Sequence, residues 1–150
     1  MKISEIINSD GSPINIVEGH GLAEIEAIAA TFRHWMETSG WTQSRQGGEF
    51  GIKLKYQGKH DCFSGACQEN AAALTKKLRQ AGYNARSQTG VYVTDDPIWL
   101  ANNEPDDWSH DWVVVGNVIV DVTADQFHPS NPQKYRVIMT SVNDPRYRPI

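Results

Sequence analysis

Two cysteines, no long apolar run and no surplus of positive charge are the first limits set by this chain of 150 residues. Cys62 and Cys67 would close only a very small loop if joined, which adds little entropic stabilisation and suits neither a secreted scaffold nor a local staple. Both are read as free thiols. No stretch approaches the roughly 18 uninterrupted apolar residues of a membrane-spanning helix, and the opening "MKISEIINSDGSP" has no apolar core of a secretory leader. The expectation is a cytoplasmic protein with no membrane partner, its delivery into another cell left open. A net charge of −4 with scattered lysines and arginines argues against phosphate-backbone binding as the main task, so no nucleic-acid partner is expected. Repeats and low-complexity segments are missing as well. What is present is 39% hydrophobic residues in a chain long enough for one core, and residues 1–150 are read as a single domain.

Turn signals divide the chain. "HGLAEIEAIAATFRHWMETSG" carries Leu22, Ile25, Ile28, Ala29, Phe32, Trp35 and Met36 at helical spacing, with Gly40 as a stop. The glycine-rich "WTQSRQGGEFGIKLKYQGKHD" reads as a loop with one short extended piece near Ile52 to Tyr56. A second helix follows with Ser64 as its N-cap, and Cys67, Ala71, Leu74, Leu78 and Ala81 form one stripe before Gly82 ends it. Cys67 therefore falls on the inward face, near the positive end of that helix. Beyond it the period becomes extended: "ARSQTGVYV" predicts a strand and "TDDPIWLANNEPDDWS" an exposed connection. "HDWVVVGNVIVDVT" predicts two strands joined at Gly116-Asn117, and "YRVIMTSV" one more strand. Helices followed by an antiparallel sheet define an α+β fold class.

The hairpin has a chemical consequence. With Gly116 and Asn117 as its loop, Val115 pairs with Val118, Trp112 faces Asp121 and His110 faces Thr123. Opposed residues share a face and side chains alternate, so His110 and Asp121 become diagonal neighbours, about 7–8 Å apart at the backbone and within reach of a hydrogen bond. A slip of one residue would send one of them to the other face. A carboxylate on one ring nitrogen fixes the tautomer of a histidine and leaves the other nitrogen free to take a proton from a nucleophile. A cysteine at a helix N-terminus is such a nucleophile, because the helix dipole and a neighbouring imidazolium both favour the thiolate.

The segment "GACQENAAALTKKLRQAGYNARSQTGVYV" resembles the G-x-C-x-x-x-A-x-x-L…L…G-x-x-A-R…G stretch of transglutaminase-like, papain-fold cysteine enzymes, "HDWVVV" resembles their H-x-W strand and "VIVDVT" their D-x-T strand. The match runs from about residue 65 to 123, in the order cysteine, histidine, aspartate. Val122 stands where the family often has proline, which bears on a local turn. The resemblance implies a papain-like α+β fold with the nucleophile helix packed on the antiparallel sheet. It implies Cys67 as nucleophile, His110 as general base and acid, and Asp121 as orienting carboxylate. The implied activity is acyl transfer on a carboxamide or peptide bond of a protein substrate through a thioester: a cysteine protease or glutamine deamidase, of the kind found among effectors and toxins. Two alternatives stand beside it, a transglutaminase forming amide cross-links and a catalytically silent binding module with the same fold.

Other residues have plainer readings. A buried helix cysteine is commonly a small hydrophobe, and Cys62 has no motif support at all. Cys62 and Cys67 with His60 and His110 supply zinc-type donors, but the C-x4-C spacing and the missing second ligand pair do not fit a structural site; no metal and no cofactor is expected. His20, His34 and His128 are assigned to surface or packing, and Trp112 either walls the site or packs the core. For the oxyanion, the backbone N–H of Cys67 is the first donor by position, and Gln57 or Gln126 the candidates for a second, with Asp61 standing at the nearer position before the cysteine.

Overall fold

A computed structural model describes residues 21–39, 67–103 and 109–150. The first periodic stretch is helix α1 (Leu22–Ser39), which buries Ile25, Ala29, Phe32 and Met36. Trp35, at the margin of the expected stripe, remains 41% exposed. Helix α2 (Cys67–Gln80) buries Ala71, Leu74 and Leu78 as the spacing predicts. It ends where Gly82 takes φ +98°, letting the Tyr83 amide reach back to the Leu78 carbonyl at 3.0 Å, a left-handed closure that favours glycine. The expected Ser64 cap, the Gly40 stop and the extended piece at Ile52 to Tyr56 lie outside the described residues.

Strand β1 (Ala85–Tyr92) runs back along α2, and β2 (Ser109–Val115) and β3 (Val118–Asp121) form the expected hairpin. Its register is the predicted one: Val115 pairs with Val118, Val114 with Ile119 and Val113 with Val120, around a turn in which Gly116 has φ +59°. Strands β4 (Ile138–Ser141) and β5 (Tyr147–Pro149) complete a five-stranded antiparallel sheet in the order β4-β3-β2-β1-β5. The class is α+β.

The alternation of β2 and β3 sorts the core into two. Val113, Val115, Val118 and Val120 meet the stripes of α1 and α2 on one face. On the other, Trp112, Val114 and Ile119 pack with Tyr92, Phe127 and Tyr147. One element differs from expectation. Part of the segment predicted as an exposed connection is a short helix, α3 (Pro97–Asn102), because Asp96 accepts from the amides of Ile98 and Trp99 and Pro97 needs no amide partner at the first helical position. Asp96 is itself buried, its other contacts being the amide and hydroxyl of Ser130.

Arg33 ties α1 to the segment after β3. Although only 1% exposed, it grips both carboxylate oxygens of Asp125 at 2.9 and 2.7 Å and donates to the Val122 carbonyl at 2.7 Å. Asp125 belongs to a 3-10 turn (Ala124–Phe127) that caps the aromatic cluster. No helix among the described residues is long and apolar enough to cross a membrane.

Candidate active site

Asp121 closes β3, and its side chain emerges on the aromatic face beside His110, the second residue of β2. His110 Nε2 donates to Asp121 Oδ2 at 2.8 Å, so the diagonal contact predicted from the hairpin forms. Both side chains are buried, His110 completely. The ring lies edge-on to Tyr92 and Phe127, with centroids 5.8 and 4.9 Å away. Trp112, read as either cleft wall or core, is 2% exposed and packs against Tyr147 at 5.0 Å, a core role.

Helix length brings Cys67 to the same level. Thr75 Oγ1 is 3.1 Å from Ser87 Oγ, which fixes α2 against β1. Eight residues back along the helix is about 12 Å. The same distance along β1 at about 3.3 Å per residue reaches Gly90 and Val91. Those two residues pair with His110 and Ser109. The body of α2 covers the aliphatic face, whereas the imidazole belongs to the aromatic one, so thiol and imidazole approach each other at the end of the sheet, where β2 pairs with β1 alone. Cys67 is a free, half-buried thiol and acts on His110 from this side. Nδ1, the ring nitrogen not used by Asp121, is buried and makes no closed hydrogen bond.

The electrostatics follow from burial and donors. Burial alone would push His110 down, but the charge and hydrogen bond of Asp121, aided by Cys67, outweigh it and raise its pKa above the ordinary 6.5. Burial would raise Asp121, yet the His110 imidazolium, the Thr123 amide at 3.0 Å and the Tyr147 hydroxyl at 2.9 Å hold it below the usual carboxylate range. His110 and Asp121 thus each favour the charged form of the other, so a proton arriving on the ring is held against a carboxylate.

Gln126 is buried in the 3-10 turn, and its amide nitrogen is taken up by the Thr123 carbonyl at 2.9 Å. Gln57, Asp61, His60, Cys62 and His20 lie outside the described residues. His34 is exposed. His128 has the packing role: stacked on Tyr135 at 3.4 Å, it bonds to the Tyr92 hydroxyl through Nε2. Thr94 gives its hydroxyl hydrogen to the Phe127 carbonyl and can only accept from His128 Nδ1, so Nε2 is the unprotonated nitrogen. Among the described residues no group of three or more His, Cys, Asp or Glu side chains is arranged to hold a metal ion.

Tyr147 is the site residue that sequence reasoning missed. It arrives on a three-residue strand, 26 positions from Asp121, with no periodic signal to announce it. The Thr123 contact is local and of the Asx-turn kind, legible in "DVT". No family model matches the chain, and no curated protein and no solved structure matches it either.

Proposed function

We propose that the chain is a cysteine-dependent acyl-transfer enzyme of papain-like, transglutaminase-like fold, a hydrolase or deamidase of a protein substrate. The observation that carries this reading is the division of the His110 ring. Asp121 occupies Nε2 at 2.8 Å, and Nδ1 is left on the side from which Cys67 acts. Resemblance supports the same three residues in the same order.

In the proposed reaction Nδ1 takes the Cys67 proton, and the thiolate attacks a carboxamide or peptide carbonyl carbon. The resulting oxyanion accepts from the Cys67 backbone N–H at the helix N-terminus. Collapse breaks the C–N bond as Nδ1–H protonates the leaving amine or ammonia, giving a thioester. Water, deprotonated by His110, then attacks the thioester and releases the acid and the thiol. Cleavage of a peptide bond is proteolysis, and cleavage of a glutamine side-chain amide is deamidation; an amine in place of water would give the transglutaminase product. The complete burial of His110 favours a second reading, a silent binding module that retains the pair for structure.

The test is the pH dependence of iodoacetamide alkylation, located by peptide mass spectrometry, in the wild type and in His110→Ala. Under the enzyme reading Cys67 reacts well below pH 8, faster than Cys62, and loses this advantage in the variant. A Cys67 that is inert, or behaves like Cys62 in both proteins, leaves the binding module as the answer.

A further inference from the structure

Strand β5 reaches the site through one atom. The Tyr147 hydroxyl donates to Asp121 Oδ2 at 2.9 Å, the same oxygen that accepts from His110 Nε2 at 2.8 Å. The other oxygen, Oδ1, is already fixed by the Thr123 amide at 3.0 Å. The carboxylate is thus oriented from the β3 side without help, and the Tyr147 bond falls on the oxygen that His110 needs. Burial removes water as an alternative partner, and the ring is held edge-on by Tyr92 and Trp112, each at 5.0 Å.

We propose that Tyr147 is a positioning residue that tunes His110: by donating to the shared oxygen it draws off part of its charge, loosens the hold of Asp121 on the imidazolium, and lowers the pH at which His110 releases its proton. A general base works best with a pKa near the operating pH. Beside a buried carboxylate an imidazole holds its proton too firmly, and a second donor on that carboxylate moves it back. The other charged or titratable groups facing this cluster are Cys67 from α2, Tyr92 from β1, His128 behind the Tyr92 hydroxyl, and Asp125 and Arg146 near Asp121 and Tyr147. Asp125 is bound to Arg33 and Arg146 to Asp144, so neither is replaced as the neighbour of Asp121 by removal of one hydroxyl. The significance of the tuning rests on the acyl-transfer reading; the tuning itself does not.

The experiment is the pH titration of the His110 imidazole nitrogens by long-range 1H–15N NMR in the wild type and in Tyr147→Phe, which keeps the ring and its edge-on contacts. The expected result is a midpoint raised by on the order of half a pH unit, a fraction of what a hydrogen bond to a charged group is worth. An unchanged or lowered midpoint overturns the proposal, because a merely structural tyrosine would not move it upward. So does a wild-type imidazole that stays fully charged to pH 10, since the hydroxyl then sets nothing in the working range. If the phenylalanine variant fails to fold, replacement of Tyr147 by 3-fluorotyrosine, a stronger donor of the same shape, is expected to lower the midpoint, and no change overturns the idea. Alkylation of Cys67 is followed in parallel. A reactive Cys67 with an unmoved midpoint removes the tuning alone; a moved midpoint with an inert Cys67 removes the enzyme reading alone.

Discussion

Gly90→Ala is the change by which the geometry of the site end of the sheet is most directly tested. Gly90 is buried in β1 between His110 of β2 and Pro149 of β5. A methyl group there would stand 2.3 Å from the Arg148 carbonyl oxygen, 2.5 Å from Trp112 Cη2 and 2.9 Å from the Arg148 carbonyl carbon. Ordinary contacts need about 3.5–4.0 Å, so the surroundings must open by more than an ångström. Trp112 is locked by Tyr147, and the carbonyl is backbone, so neither neighbour is the free end of a flexible side chain. Two responses remain. If β5 stays, overpacking costs about 1–3 kcal/mol, or more for so close an approach. If β5 peels away, Tyr147 loses about 1.5–3 kcal/mol of burial and a similar amount from its bond to a charged acceptor. The less costly response sets the result, a loss of about 3 kcal/mol. Urea denaturation of Gly90→Ala reads it, with the exposed neighbour Thr89→Ala as a control expected to lose less than about 1 kcal/mol. Faster hydrogen exchange at the Ile150 amide, which bonds to the Thr89 carbonyl at 3.2 Å, would identify the peeling response. A Gly90→Ala protein within about 0.5 kcal/mol of wild type would refute the reasoning, and with it the placement of β5 against the site.

Two further perturbations address the frame around the site. Arg33→Met leaves the buried Asp125 carboxylate without its bidentate partner and is expected to cost about 3–5 kcal/mol in urea denaturation at pH 7. Burial already pushes Asp125 up against the pull of Arg33, and removing Arg33 raises it further. A carboxyl raised in the folded state takes up its proton on acidification, so the deficit should shrink towards pH 4.5; a loss under about 1 kcal/mol at pH 7 contradicts the assigned bridge. His128 is lowered to about 4, by burial first and by Arg146 second. Its stabilising effect is complete above the unfolded value of about 6.5 and is lost as pH falls towards the folded value. His128→Gln, which can still accept from Tyr92, should therefore show a flatter fall in melting temperature between pH 6.5 and 4 than the wild type, and an identical slope would count against the buried neutral imidazole.

Local chemistry decides what could be read in advance. The β2–β3 register followed from a single turn, because Gly116-Asn117 dictates every later pair and the valine alternation leaves no second solution. The α2 stripe followed from spacing. Helix α3 was written in the chain as Asp96-Pro97 but stood in an acidic stretch that also reads as a solvated loop. Strand β5 had no such trace: three residues with a proline among them fall below any periodic signal and exist because β1 offers a free edge. The Arg33 to Asp125 bridge spans 92 positions, and nothing in "TFRHW" sets Arg33 apart from an ordinary surface residue. Contacts of that kind are products of the packing and have no local code.

The direction of α2 explains why three residues so far apart in sequence can share one end of the sheet. An antiparallel helix–strand pair must bring the N-terminus of the helix to the C-terminal end of β1, and pairing with β2 then places the start of β2 there. The last residue of β3 supplies Asp121 at the same end. That end is the costly place for charge, since His110 is surrounded by Tyr92, Phe127 and Trp112 and has no exposed surface. A buried imidazolium–carboxylate pair adds little stability compared with apolar side chains of the same volume. Asp121 nevertheless collects donors from His110, Thr123 and Tyr147, three different places in the chain, while one ring nitrogen of His110 is left open towards a thiol. Packing explains the aromatic cluster and the Thr123 turn. It offers no reason for the open nitrogen or for a cysteine at its level, an arrangement that the proposed proton transfer would require.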